Sequence, residues 1–433
     1  MLNGVHRKRI ACFGGLLLSR RLLASVLCSS AVLLAVLSLA APISKSGAET
    51  RPVGERIESR FVQSDADGAA GSPNQRLGNW SIVRSPSMPG TNELYAANCV
   101  GAPDCWSVGY FNTATLPYQT LTERWEGDAW RIVPSPNRSG HNILYGVTCN
   151  SGSDCWAVGT HWETNGSAQR TLIEHWDGNA WRLIDSPNRG LSNPPIDVLA
   201  GVTCSSNTNC WAVGGYDDVD GSGRTLVVRW DGSSWTIVDS DNPSGSDSLF
   251  SVTCVSPQEC WAVGETATGL GMVRTLIEKW DGHVWSTVPS PNPGSDNSLR
   301  SVTCPSQFNC WAVGQSNNRT LVEHWGGTSW EIVSSPNTSA EQNLLFGITC
   351  PSASGCWSIG YSGSISLYQT LIERWDGASW RVYPSPNVQS SHLNQLTGVS
   401  CASESECWTV GYFENSNGIP KTFFANLTRN PPP

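Results

Sequence analysis

Residues 144–188 contain Leu144-Tyr145-Gly146-Val147-Thr148-Cys149, then Cys155-Trp156-Ala157-Val158-Gly159, then Thr171-Leu172-Ile173-Glu174-His175-Trp176. Asp177-Gly178 follows directly, then Trp181-Arg182-Leu183-Ile184 and Ser186-Pro187-Asn188. Each run is short and rich in β-branched and aromatic residues, which predicts four successive strands. Asp-Gly between two such runs is a hairpin signal, and the proline ends the last strand. Four antiparallel strands in one unit describe a propeller blade when the unit recurs at about 50 residues.

The unit does recur. Cysteines stand in pairs: Cys99 and Cys105, Cys149 and Cys155, Cys204 and Cys210, Cys254 and Cys260, Cys304 and Cys310, Cys350 and Cys356, Cys401 and Cys407. A Trp follows every second member. Trp residues that open a fourth strand occur at Trp80, Trp130, Trp181, Trp235, Trp285, Trp330 and Trp380. The first of these precedes any cysteine pair. The last pair is followed by a third strand, Thr422-Phe423-Phe424-Ala425-Asn426-Leu427, with no fourth strand after it. Residues 79–85 are therefore expected to complete the final blade. An all-β, seven-bladed propeller with four-stranded antiparallel blades, closed by its N-terminal strand, accounts for this offset, and closure leaves no open seam between first and last blades.

Fourteen of the 16 cysteines belong to the pairs. Cysteines facing each other across a hairpin can meet disulfide geometry, and each bridge would contribute roughly 2.4 kcal/mol by the chain-entropy estimate. Zinc sites join close cysteine pairs, often with histidine, and no His recurs beside these; no C-x-x-C redox motif occurs. Disulfides are the expectation. Twenty of the 21 Trp fall on three recurring positions: after the second cysteine, before the Asp-Gly turn, and at the start of the fourth strand. Repeated bulky residues fill the wedges between blades. Trp162 alone lies outside the pattern.

The N-terminal segment, 1–42, reads as an export signal or an uncleaved membrane anchor. Arg7, Lys8, Arg9, Arg20 and Arg21 precede an uncharged apolar run, Leu22 to Ala41, and Ser38-Leu39-Ala40 offers a small-x-small cleavage site. Any membrane association is expected through this segment alone. Residues 43–78 carry no hydrophobic period and read as a flexible linker, 79–429 as the propeller and 430–433 as a tail. The chain's formal charge is −9, and setting aside the basic leader makes the remainder more acidic still. Such a surface repels phosphate backbones, so nucleic acid is not expected as a partner. A secreted or cell-surface monomer is the expectation.

With Trp176-Asp177-Gly178-Asn179-Ala180-Trp181, Leu-x-Gly-Val-Thr-Cys and Cys-Trp-Ala-Val-Gly in hand, the chain resembles a secreted bacterial seven-bladed propeller repeat family over about residues 79–429. The turn is also similar to the Asp-box of sialidase-like propellers. It departs from that box by lacking the Ser/Thr two residues before Asp and by one residue between Asp and Trp. Asp-boxes are structural and would carry no sialidase activity. Kelch-type propellers and Trp-rich tachylectin-like lectins are more distantly similar, and the latter imply sugar binding, an implication by analogy of fold.

In a propeller the first-to-second and third-to-fourth turns share one face. Here these turns are uniform, whereas the loops of the other face vary, and variable loops on a rigid frame favour binding. That face and the mouth of the axial channel offer Tyr110, His141, His161, Trp162, Glu163, Tyr216, Asp217, Asp218, Asp220, His392, Tyr412 and Glu414 as ligand-binding candidates. Aromatic rings stack on sugars and carboxylates accept from hydroxyls; each residue also reads as an ordinary solvated loop residue. Asp218-Val219-Asp220-Gly221-Ser222-Gly223 is similar to the start of a calcium loop, but Arg229 stands where an EF-hand needs its bidentate Glu. The alternatives are a looser calcium site at Asp218 and Asp220 or a simple acidic turn; no other cofactor or metal is expected. Glu123, Glu174, Glu278, Glu323 and Glu373 share one repeat position, as framework or outer-surface residues, because a unique active site should break the repeat. No catalytic residue emerges from nucleophile, zinc-protease, phosphate-loop or paired-carboxylate patterns. The expected function is non-catalytic binding of an extracellular glycan or surface protein. The alternatives are a glycan hydrolase or lyase at the channel mouth and a structural envelope protein.

Overall fold

The computed structural model describes residues 78–428, apart from positions 102–103, 116, 164–167, 244, 269–270, 365 and 389–391. The leader, nearly all of the linker and the tail lie outside the described residues, as do the readings made of them. The described strands form seven four-stranded antiparallel sheets, as the repeat predicts. A single outer strand, β1 (Asn79–Val83), comes first. Blade I is β2 (Thr91–Gly101), β3 (Asp104–Asn112), β4 (Gln119–Trp125) and β5 (Trp130–Val133). Blade II is β6 (His141–Ser151), β7 (Asp154–Trp162), β8 (Gln169–Trp176) and β9 (Trp181–Ile184). Blades III to VI run from β10 (Asp197–Ser206) to β13 (Trp235–Val238), β14 (Ser246–Ser256) to β17 (Trp285–Thr287), β18 (Asn297–Ser306) to β21 (Trp330–Ile332) and β22 (Gln342–Ser352) to β25 (Trp380–Tyr383). Blade VII takes β26 (Asn394–Ser403), β27 (Glu406–Glu414) and β28 (Pro420–Thr428), and its fourth strand is β1. The closing register places Trp80 opposite Leu427 and Val83 opposite Phe424.

The first strand of every blade touches the first strands of its neighbours, so seven strands surround one axis. At the junction of VII and I, Thr397 Oγ1 donates to Leu94 O at 2.7 Å, and Cys99 N–H donates to Ser400 Oγ at 3.0 Å. The ring is closed at its inner edge as well as within the shared sheet.

All seven expected cysteine pairs are disulfides, with Cα atoms 4.0 to 4.1 Å apart. Cys99 bonds Cys105, Cys149 bonds Cys155, Cys204 bonds Cys210 and Cys254 bonds Cys260. In the later blades Cys304 bonds Cys310, Cys350 bonds Cys356 and Cys401 bonds Cys407. The two halves of each bridge differ in environment. Cys105, Cys155, Cys210, Cys260, Cys310, Cys356 and Cys407 are fully buried in the interblade cores, whereas their partners are only partly buried. The second cysteines are thus framework residues, sealed from solvent and from any ligand, and the bridges pin the turn between first and second strands. The neighbouring Asp-Gly turns owe their aspartate to hydrogen bonding: Asp177 Oδ1 accepts from the N–H groups of Asn179 and Ala180, both at 2.9 Å. Asp231, Asp281 and Asp376 do the same in their blades.

The tryptophans interlock the blades. Trp106 of blade I inserts between Trp176 and Trp181 of blade II, with ring centroids 4.7 and 5.1 Å away. Trp156, Trp211, Trp261, Trp311 and Trp408 each repeat the arrangement with the next blade. At the VI–VII junction β28 has no Trp before its turn, and Trp357 meets Trp80 of the closing strand at 5.4 Å. One edge-on and one tilted neighbour per ring is an arrangement that the aromatic quadrupole favours.

The repeated glutamates belong to the framework. Glu123, Glu174, Glu278, Glu323 and Glu373 are fully buried, which excludes the outer-surface alternative. Four of them accept from the Ser that ends the preceding blade: Ser135 to Glu174 at 2.5 Å, Ser335 to Glu373 at 2.6 Å, Ser290 to Glu323 at 2.7 Å and Ser85 to Glu123 at 3.5 Å. Where the next blade carries Val228 or Ala425 at this position, Ser186 and Ser385 donate instead to Thr171 and Thr370 of their own blade.

Candidate functional site

Each innermost strand contains a β-bulge at the same place. The register skips between Leu94 and Ala96 in blade I, and between the equivalent residues of the other six. The extra residues are Tyr95, Tyr145, Ala200, Phe250, Arg300, Phe346 and Thr397. A bulge re-aims its side chain out of the pleat. All seven are half-buried, on the strands that surround the axis.

The glycine of the Cys-Trp-Ala-Val-Gly motif makes the bulge sterically feasible. A Cβ on Gly109 would lie 1.9 Å from Glu93 O, and on Gly264 it would lie 1.8 Å from Ser248 O. Only a residue without a side chain admits this approach.

In blades I and II the bulge residues belong to a cluster around Glu93, a fully buried carboxylate. Tyr95 Oη donates to Glu93 Oε2 at 3.0 Å, and the Tyr110 hydroxyl, opposite Glu93 across the strand pair, also hydrogen-bonds it. Tyr95 packs against Tyr145 at 5.4 Å and Tyr110 at 6.0 Å. Aromatic contacts continue outward from Tyr110 to Tyr118 at 4.9 Å, from Tyr118 to His141 at 4.8 Å and from His141 to Trp162 at 6.2 Å. Tyr118 N–H donates to His141 Nδ1 at 3.2 Å, tying the blade I loop to the start of blade II. On the blade VII side Tyr412 Oη donates to Gln395 Oε1 at 3.1 Å. Burial, and secondarily the Glu93 charge, push the phenols of Tyr95, Tyr110 and Tyr145 well above the ordinary tyrosine range. They stay protonated and act as hydroxyl donors.

Blades IV to VI supply a different group. The Arg300 guanidinium lies 4.4 Å over the Phe250 ring, and its Nη2 is 3.5 Å from Glu265 Oε2. Phe346 packs on Tyr361 at 5.7 Å, and Tyr361 stacks on Tyr368 at 4.1 Å.

Of the residues expected from sequence, Tyr110, Tyr412, His141 and Trp162 join the Glu93 assembly or its outward extension. The others are distributed around the ring. His161 is half-buried opposite Arg170; burial, then Arg138, lower its pKa despite the opposing pull of Glu163, so it is neutral. Glu163 is exposed, with its N–H donating to Ala168 O at 3.1 Å. Tyr216 lies in the core between blades II and III, beneath the Arg189 guanidinium, and Asp217 is buried beside it. Asp218 is 3.6 Å from Arg224 Nε, and Asp220 Oδ1 accepts from Ser222 N–H at 2.9 Å. Among the described residues no group of three or more His, Cys, Asp or Glu is gathered to hold a metal ion. His392 and Glu414 sit together on blade VII, where burial raises the Glu414 carboxyl and His392 partly offsets this. The carbonyl of His392 accepts from Asn394 Nδ2 at 2.8 Å.

Glu93, Tyr95, Tyr118, Tyr145, Gln395, Glu265 and Arg300 were not singled out from sequence. The available signal was columnar. Glu93 stands where other units have Ile143, Val198, Ser248, Ser298, Leu344 and Gln395, just before a Leu present in every unit. One residue earlier, a recurring Asn or Asp pins the inter-blade loop: Asn92 Oδ1 accepts from Met88 N–H at 2.8 Å, and Asn142 Oδ1 from Arg138 N–H at 2.9 Å.

No protein-family model matches the chain, and no curated protein is detectably similar to it. Among solved structures, YCF48 from Cyanidioschyzon merolae is similar at 12% identity and a TM-score of 0.48, over 81% of this chain and 98% of that one. A protein of unknown function from Dyadobacter fermentans is similar at 10% identity and a TM-score of 0.48, over 83% of this chain and 100% of its own. Seven four-stranded blades are what the chain's own sheets establish.

Proposed function

We propose that this protein is an exported, non-catalytic propeller that binds an extracellular glycan at the axial mouth of its variable-loop face. One observation carries the reading. The interior columns of the repeat are nearly uniform in Trp, Cys, Leu and Gly, whereas the half-buried bulge column is Tyr95, Tyr145, Ala200, Phe250, Arg300, Phe346 and Thr397. Packing alone asks for the same residue seven times. A varied ring of aromatic and polar side chains suits a ligand with flat apolar faces and many hydroxyls. The protonated Tyr145 hydroxyl supplies a donor and Glu265 an acceptor. Seven disulfides suit an oxidising compartment.

A hydrolase reading draws on two carboxylates of the innermost strand pairs, Glu93 and Glu265. An array of diverse glycans, read beside release of reducing ends, separates the readings. Binding without turnover, lost by about tenfold in Tyr95→Leu and Phe250→Leu with unchanged melting, is the expected outcome. Turnover would replace the proposal with the enzyme. Silence on every glycan would leave a protein ligand or a structural role.

A further inference from the structure

Two columns of the repeat are each broken once by a charge, and the two breaks face each other. Among the seven bulge residues only Arg300 is charged, and in the second-strand column opposite Glu93 and its equivalents only Glu265 is. Across the junction of blades IV and V, Arg300 Nη2 lies 3.5 Å from Glu265 Oε2, with the two side chains 14% and 20% exposed. The framework pairs Arg124–Asp104 and Lys279–Glu259 close instead to 2.8 and 2.9 Å, with their cations 28% and 30% exposed. Phe250, 4.4 Å from the Arg300 guanidinium, offsets its charge without offering a lone pair. Arg300 Nε and, two residues earlier on the same strand, Ser298 Oγ are buried without a hydrogen-bond partner. A desolvated ion pair holds its place well only when its remaining donors and acceptors are also satisfied. This pair is drier and looser than the framework pairs, and it stands on the strands that surround the axis.

We infer that Arg300 and Glu265 form a clamp for adjacent hydroxyl groups, and that the glycan bound at the mouth is neutral there, with no carboxylate, sulfate or free amine. The inference rests on the glycan-binding reading above and narrows its ligand class. A hydroxyl carries one O–H donor and two acceptor lone pairs, so two neighbouring hydroxyls accept from the guanidinium fork and donate to the carboxylate together. The pair itself has no net charge. A ligand anion brought to Arg300 also meets Glu265, and a ligand ammonium brought to Glu265 also meets Arg300; each juxtaposition of like charges counts against the charged sugar.

The test is calorimetric titration of the protein, at a mildly acidic pH that keeps amines protonated and carboxylates ionised. The ligands are oligosaccharides of equal length in three matched series: neutral glucose, mannose and galactose, the corresponding uronic acids, and the corresponding amino sugars with free amines. At least one neutral oligomer is expected to bind about tenfold more tightly than its acidic and amino counterparts. Glu265→Gln is expected to weaken that neutral ligand about tenfold and to turn the preference towards the acid, and Arg300→Gln to weaken it equally and turn the preference towards the amine. Should the lone charge in either single variant prevent folding, the double variant E265Q/R300Q leaves no unpaired charge and is expected to lose the discrimination against both charged series. A parent that binds an acidic or amino glycan, in the series or on the array, as tightly as any neutral one overturns the clamp and leaves the glycan reading standing. Variants that keep the parent's ranking do the same. Absence of binding to all three series and to the wider array removes both.

Discussion

A methyl group on Gly264 would lie 1.8 Å from the carbonyl oxygen of Ser248, and the equivalent glycines of the other six blades are as tightly opposed. No side-chain rotation relieves a clash with backbone, so the strand pair must separate or the bulge must flatten. Gly264→Ala is therefore expected to destabilise the protein by about 1–3 kcal/mol, read from denaturant unfolding. It should also redirect Phe250 and weaken ligand binding beyond the loss of stability. A variant as stable as the parent would show that the bulge is not held by this contact. Here the motif was plain in the sequence and its purpose was not. Cys-Trp-Ala-Val-Gly reads as a β-strand ending in a turn former, whereas the glycine lies mid-strand and yields to a bulge on its neighbour. Pattern reading assigns residues to loops or strands, and a bulge residue is in a strand while behaving as neither face. That is why Tyr95, Tyr145 and Arg300 escaped notice while Trp162, breaking the pattern visibly at a strand end, did not.

Between elements, the Ser-to-Glu contacts couple the third strands of four blades to the blade before them. Burial pushes the carboxyls of Glu174, Glu323 and Glu373 up to about 8, with the Ser135, Ser290 and Ser335 hydroxyls pulling the other way. In the unfolded chain these groups titrate near the ordinary glutamate value of about 4.3. The folded state thus holds protons that the unfolded state has released. The stability associated with the protonated form is complete below the unfolded value and is lost as pH rises through the folded one. Melting temperature should fall between about pH 5 and pH 9, and the triple variant E174Q/E323Q/E373Q should flatten that slope. Identical slopes in the two proteins would mean that other groups govern the dependence. In sequence these glutamates read as framework or outer-surface residues, because they recur from unit to unit. Only the packing of blade on blade buries both faces of their strands, and one repeat unit read alone does not reveal it.

At the scale of the ring, closure was the most legible feature, because a count of units with an offset of one strand needs no side-chain detail. Deleting residues 79–83 removes the partner of Pro420–Thr428 and the Trp80 ring that packs on Trp357. The truncated protein should melt earlier and self-associate through its open edge, as seen by light scattering. A monomer of unchanged stability would sink the idea that this strand seals the molecule. The bulge ring, by contrast, is assembled between neighbouring units, as with Tyr95 against Tyr145 and Arg300 over Phe250. Only the circular arrangement adds the contact of Thr397 with Leu94, from opposite ends of the propeller sequence.

The shared blade also sets an order of events. A chain delivered from its N-terminal end presents Asn79–Val83 first and the strand it must pair with last. Six sheets can be completed from local hairpins while that first segment waits, its hydrogen-bonding groups turned to solvent or to any passing edge. The seventh blade is then both the latest to form and the one whose failure undoes the circle, so quality control acting on a single sheet would report on the whole.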